Sequence, residues 1–212
     1  MRAFMPGAVI LFAGLLSGCS TLNNPVIRTF DHVMPSWGNS SFRLDPRYRY
    51  LRVVVNGRVL YPALGGNDHG VELWYTSMRE VLRLENGRLV GMTGTTTEWR
   101  NVSIPALPAW SELAKMQKPY EWIRTRDVMP GYRYGIRDIL LLRVIPVPEN
   151  SSLVDLDPAS LTWFEEKDIA KDSHLPPARY AVDAAGAVVY GESCLSDGLC
   201  FSWQHWPVER KK

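Results

Sequence analysis

The feature that most constrains this chain is a series of short alternating apolar segments joined by two-residue turns. Residues 51–55 alternate apolar and polar side chains up to Asn56-Gly57, and the alternation resumes beyond that turn. The arrangement recurs where residues 81–84 are followed by Asn86-Gly87 and then by residues 89–92. Asn-Gly is strongly favoured in type I′ turns, whose twist matches that of paired strands. The pattern therefore predicts successive β-hairpins.

Similar strand-forming runs fill most of the chain, and glycines at 91 and 94 indicate points where the sheet bends. Short helices are predicted at 26–34, where apolar residues fall on one helical face, and at 109–118, after Pro108. We therefore expect an all-β domain, mainly an antiparallel meander forming a curled sheet or half-barrel, with one or two short helices. The further predicted strands are 71–75, 121–126 and 132–145 around Met129-Pro130-Gly131, 161–165, 179–182 and 187–190, the last two joined by a turn at 183–186.

The N-terminus has a different character from the rest of the chain. Arg2 precedes an apolar stretch at 8–16, followed by the small residues Ser17-Gly18, which is the layout of a secretory signal peptide. The stretch is too short to span a bilayer, because a spanning helix needs about 20 apolar residues. We therefore expect cleavage of residues 1–18 and export of the remainder.

The first residue after this segment is Cys19. Leu16-Ser17-Gly18-Cys19 resembles the lipobox of bacterial lipoproteins, in which the cysteine thiol receives a diacylglyceryl group before cleavage. An ordinary signal peptide followed by a chance cysteine is the alternative. The expected organisation is a lipid-anchored tether at 19–25 and a single β-rich periplasmic domain at 26–212. By analogy with enteric lipoproteins, Ser20 implies the outer membrane.

Two cysteines remain once the lipidated one is set aside. An even number in an exported protein favours a disulfide between Cys194 and Cys200. Asp197-Gly198 between them can reverse the chain and bring the flanking segments within bridging distance. A metal site is the alternative, but His205 is the one ligand near in sequence.

The charge composition bears on partners. Lys and Arg number 24 against 22 Asp and Glu, without a run of five or six like charges, so a nucleic-acid partner is not expected. Membrane attachment must then come from the N-terminal lipid rather than from a basic surface.

Catalytic signatures for phosphate loops, nucleophile elbows and zinc helices are absent from the sequence, and no cofactor is expected. Asp68-His69 is the one place where a histidine adjoins a carboxylate in a turn-like loop. This pair supports an alternative function as a periplasmic glycan-acting hydrolase, against the simpler interpretation of a solvated turn.

The eight tryptophans and nine tyrosines suggest carbohydrate contacts, because aromatic faces stack on the apolar faces of sugar rings. Phe201, Trp203 and Trp206, which follow the cysteine loop, are the candidate surface for a glycan or partner protein. Packing of these rings in the core is the competing interpretation.

The order of these motifs resembles that of the YjbF/GfcB family of bacterial lipoproteins, which are encoded with capsule and exopolysaccharide secretion genes. The resemblance implies an all-β domain that acts with a polysaccharide export apparatus at the outer membrane, and it implies no catalytic residue. Its partners would be the polysaccharide or other export proteins. The matching segments are the lipobox at Cys19, residues 50–53, 73–75 and 82–84, and residues 85–90 leading to Gly94.

Overall fold

With a single exception, each described strand pairs antiparallel with the next one in sequence, as the hairpin pattern predicts; the second and third strands instead both pair with the first. The computed structural model describes residues 44–171 and 173–208, and within them 13 strands form one sheet. The predicted signal peptide, Cys19, the predicted tether and the predicted helix at 26–34 lie outside the described residues. The strands are β1 (Tyr50–Val55), β2 (Arg58–Leu60), β3 (Ala63–Asp68), β4 (Val71–Tyr75), β5 (Val81–Glu85), β6 (Arg88–Thr93), β7 (Glu98–Ser103), β8 (Tyr120–Met129), β9 (Arg133–Ile145), β10 (Thr162–Asp168), β11 (Ala178–Val182), β12 (Val188–Ser196) and β13 (Leu199–Trp206).

Both Asn-Gly pairs form the predicted hairpin turns. The φ angles are 49° and 73° at Asn56 and Gly57, and 48° and 77° at Asn86 and Gly87. Positive φ at both central residues is the requirement of a type I′ turn. The flanking residues pair directly, Val55 with Arg58 and Glu85 with Arg88, so the local prediction is confirmed.

The first and last strands of the sheet also pair with each other. β1 and β13 are antiparallel from Tyr50 opposite Trp206 to Val55 opposite Phe201. The sheet therefore closes into a ring, which removes the edges that an open sheet would expose. The all-β prediction is confirmed, and the closure goes beyond the half-barrel that the sequence indicates.

Large rings and aliphatic side chains fill the interior of the ring. Trp74, Trp99 and Trp203 are almost fully buried there. The β5–β6 hairpin reaches across to β12, since a Cβ on Gly87 would lie 2.3 Å from the Cβ of Val188. Only glycine fits at that contact, which explains why the turn ends in Asn-Gly at this position.

The structure differs from the sequence prediction at one helix and contains three strands for which no range was predicted, β3, β7 and β13. The helix at 109–118 is only one turn long, α1 (Trp110–Leu113). Trp110 and Leu113 are buried but residues 115–118 are exposed, and a short helix needs such packing to persist. The strand β3 was not predicted, because Gly65-Gly66 has low strand propensity. A Cβ on Gly65 would lie 2.5 Å from the ring of Tyr75, so the glycine is required there.

Among the described residues, none of the helices has both the length and the apolar character needed to cross a bilayer.

Candidate functional site

The predicted disulfide is present between β12 and β13. Cys194 and Cys200 occupy directly opposite positions, with their sulfur atoms 2.01 Å apart. Ser196 pairs with Leu199, so Asp197-Gly198 forms the two-residue turn that the sequence predicts. The bridge therefore closes the last hairpin of the sheet.

The aromatic segment after the bridge does not form the predicted surface. Phe201 is 4% exposed and Trp203 is 2% exposed, and the Trp203 ring packs so closely on Gly191 that a Cβ there would lie 2.4 Å from it. The prediction of a glycan or partner surface is wrong for these two residues. The reason is that β13 closes the ring, so alternate side chains of this strand must face the interior.

Trp206 lies at the end of β13 and is half-buried. Its ring centroid is 6.1 Å from that of Tyr61. It keeps partial solvent access, but the three-residue aromatic surface predicted from the sequence does not exist.

Asp68 and His69 lie at the turn between β3 and β4. His69 Nδ1 and Asp68 Oδ1 are 2.6 Å apart, and the two side chains are 98% and 71% exposed respectively. His69 has a φ of 51°, as expected for a tight turn. Among the described residues, no serine, threonine or cysteine side chain is hydrogen-bonded to His69. The pair is thus held together but is open to water.

A groove of about 460 Å³ lies on the outer face of β4 to β7. Val71, Leu73, Arg83 and Glu85 of its lining alternate with the buried Trp74, Leu82 and Leu84 and therefore face away from the core, whereas Trp99 and Val102 of the lining pack in or against the core. Apolar side chains form the floor and charged side chains the margin. The apolar residues are Val71, Leu73, Val90 and Val102, and the charged residues are Asp68, Arg83, Glu85 and Arg100.

Hydrogen bonds orient the two arginines of the groove. Arg83 Nη1 donates to Thr93 Oγ1 at 3.3 Å, and Arg100 Nε donates to Glu98 Oε2 at 2.7 Å. The backbone N–H of Gly94 donates to the other oxygen of Glu98, and this bond together with Arg100 lowers the pKa of Glu98. Glu98 is therefore ionised at neutral pH and holds Arg100 at the margin of the groove.

A second polar site, inside the ring, was not predicted. Asp138 on β9 is 1% exposed and accepts hydrogen bonds from Arg124 Nε at 2.8 Å and from Arg126 Nε at 2.7 Å. A third bond comes from Arg126 Nη2 at 2.9 Å. Both guanidinium groups also stack on Trp99, at 4.4 and 4.3 Å from the ring centroid.

The electrostatics of Asp138 balance two opposing effects. Burial by itself would raise the pKa of this carboxyl group, but the hydrogen bonds and charges of Arg126 and Arg124 outweigh it and the pKa is lowered. Asp138 is therefore a buried anion shared by two cations. The sequence signal for this cluster lies in β8. Every second residue from position 122 to 128 shares one buried face of this strand, and Arg124 and Arg126 stand there between the apolar Trp122 and Val128.

A buried ion pair also links β6 to β10. Arg88 Nε lies 3.5 Å from Glu166 Oε2, and the Arg88 guanidinium stacks 3.7 Å from the ring centroid of Trp110. Tyr180 donates a hydrogen bond to Glu166 at 3.3 Å. These contacts fix the one-turn helix against the interior, and they face away from the groove.

Comparison with known proteins is informative about the fold. No family model and no curated protein sequence matches this chain. A solved structure, the hypothetical lipoprotein YmcC from Escherichia coli K12, is similar with a TM-score of 0.57 and 13% sequence identity. The similarity covers 77% of this chain and 86% of that one. The two proteins share a fold, and an identity this low establishes no more than that.

Proposed function

We propose that this protein is a lipid-anchored outer-membrane lipoprotein that faces the periplasm and acts as an accessory or binding component in exopolysaccharide or capsule export. The lipobox at Cys19 and the family resemblance of the motif order support the proposal. A fold shared with a protein described as a hypothetical lipoprotein is consistent with it.

The observation that carries the binding role is the outer groove of β4 to β7. Carbohydrates present apolar ring faces together with many hydroxyl groups. A groove with an aliphatic floor and oriented charged groups at its margin offers contacts for both.

We propose binding rather than catalysis. A hydrolase centred on Asp68 and His69 would act in a site that excludes little water, since both side chains are mostly exposed. Asp68 also lines the groove but His69 does not, so substitution of His69 separates the two functions.

The test is complementation of a deletion strain, with secreted polysaccharide as the measured quantity. The deletion should reduce secretion, and an Arg83→Gln, Arg100→Gln double variant should restore it poorly. Arg143→Gln is the matched control, because Arg143 forms an exposed ion pair with Glu165 away from the groove. All variants are checked for folding by circular dichroism and for abundance by immunoblot.

Two further variants address the hydrolase alternative. His69→Ala leaves the groove lining unchanged and should restore secretion when the protein binds without catalysis, whereas Asp68→Asn also removes a groove carboxylate and should restore it less well. If both abolish secretion while the protein remains folded, the hydrolase interpretation replaces the binding one. If the deletion has no effect on secreted polysaccharide, the export role itself is refuted.

A further inference from the structure

The tip of the long β8–β9 hairpin exposes two aromatic side chains. Tyr132 is 73% exposed and Tyr134 is 65% exposed, the highest values for large hydrophobic residues in the described part of the chain. Tyrosine rings usually bury most of their area in the core or at an interface. These rings, with Arg133 between them, are called the tyrosine tip below.

The backbone conformation of Tyr132 is also unusual for a residue that has a Cβ. Its φ is 50°, in the left-handed region, where a residue with a Cβ is disfavoured and glycine or asparagine is preferred. Asn56 and Asn86 take this φ in two other hairpins, while His69 takes it in the β3–β4 turn. Neither a preference of the turn nor burial in the core therefore accounts for a tyrosine at position 132.

The tyrosine tip is held firmly beside the outer groove. One carboxylate oxygen of Asp127 accepts the backbone N–H of Gly135 at 2.8 Å, and the other accepts Asn101 Nδ2 at 2.8 Å. Asn101 is itself part of the groove wall. Asp127 thus connects the groove wall to the strand that follows the tip, and rings on a braced hairpin lose little conformational entropy on binding.

The charge near the tip points to the kind of ligand. Arg133 and Arg137 are exposed, and within residues 44–171 and 173–208 neither forms an ion pair. Guanidinium groups bind carboxylates in a bidentate manner, and tyrosine faces stack on sugar rings. We propose that Tyr132, Arg133 and Tyr134 bind an acidic carbohydrate chain that extends from the outer groove. This inference rests on the proposed binding function and assigns the ligand class and a second contact region.

The experiment measures binding of the lipidated protein, in detergent micelles, to the polysaccharide purified from the host's own culture supernatant. The same polymer with its carboxyl groups chemically reduced is the matched ligand control. Tyr132→Asn with Tyr134→Asn should weaken binding at least tenfold. Its Tm should equal or exceed that of the wild type, because asparagine suits the φ at position 132 and no buried contact is lost. Val59→Asn, at an exposed apolar residue of β2, should bind as the wild type does.

The outcomes distinguish this inference from the proposed function. Weaker binding by the tip variant, and weaker binding of the reduced polymer by the wild type, support the inference. Unchanged binding by the tip variant overturns it, and the groove remains the binding site if the Arg83 and Arg100 variant binds poorly. Equal binding of both polymers overturns the acidic class. If the wild type binds neither polymer, the inference fails, while the secretion assay still decides the export role.

Discussion

Replacing Asp138 by asparagine should strongly destabilise the domain. The substitution keeps the shape of the side chain but removes the carboxylate that Arg124 and Arg126 share, so the local charge rises from one net positive charge to two. Three charge-assisted hydrogen bonds are weakened inside the ring. Breaking a buried ion pair by removing one partner costs about 3–5 kcal/mol, since the remaining charge stays buried and uncompensated.

For a domain of this size, each kcal/mol corresponds to roughly 2–4 °C in Tm, so Asp138→Asn should lower Tm by about 6–20 °C. Differential scanning calorimetry and urea unfolding at pH 7 measure the effect. Glu165→Gln is the control, because the exposed Arg143–Glu165 pair should contribute about 1 kcal/mol or less.

The pH dependence provides a second test of the same reasoning. The pKa of Asp138 is lower in the folded state than in the unfolded chain, where it is about 4. Its stabilisation is therefore complete above about pH 4 and is lost as the pH falls through the folded-state pKa. Because Asp138→Asn has no carboxyl group at this position, its free energy of unfolding should fall less than that of the wild type as the pH drops below about 4. An Asp138→Asn protein within about 1 kcal/mol of the wild type would refute the argument that the buried cluster needs its carboxylate.

Three further predictions concern stability and processing. Cys194→Ser with Cys200→Ser should cost about 2–3 kcal/mol, and the denatured but unreduced wild type should contain no reactive thiol by titration. Gly191→Ala should cost about 1–3 kcal/mol in urea unfolding, because its methyl group collides with Trp203. Gly66→Ala, whose methyl group meets no atom within 4 Å, should leave Tm nearly unchanged. Cys19→Ser should abolish incorporation of labelled palmitate, and equal labelling of both proteins would show that Cys19 is not the acylated residue.

The local elements of this fold were predictable from the sequence because their causes are local. Asn56-Gly57 and Asn86-Gly87 form the predicted turns, since the left-handed φ that they need is available to asparagine and glycine. The Cys194–Cys200 bridge followed from the same kind of reasoning, because the Asp197-Gly198 turn brings the two cysteines opposite each other. In these cases the determining residues lie within a few positions of one another.

The candidate site was less predictable, because its parts are distant in sequence. The groove combines side chains from five strands, β4 to β7 and Asp68 at the end of β3, and alternation alone does not say which face of each strand points outward. Asp138 lies opposite Arg124 only through the register of β8 with β9. The tyrosine tip was visible in the sequence only as β-favouring rings, and its exposure depends on how far the hairpin extends.

The sequence by itself determined the hairpins, their turns and the disulfide, because short-range sterics and chain reversal decide each of them. The tertiary structure alone decided that β1 pairs with β13, a contact between the two ends of the described sheet. That closure places Phe201 and Trp203 in the core and leaves the groove and the tyrosine tip in solvent. Whether an aromatic ring serves packing or binding depends on the face of the sheet it occupies, and long-range strand pairing sets that face.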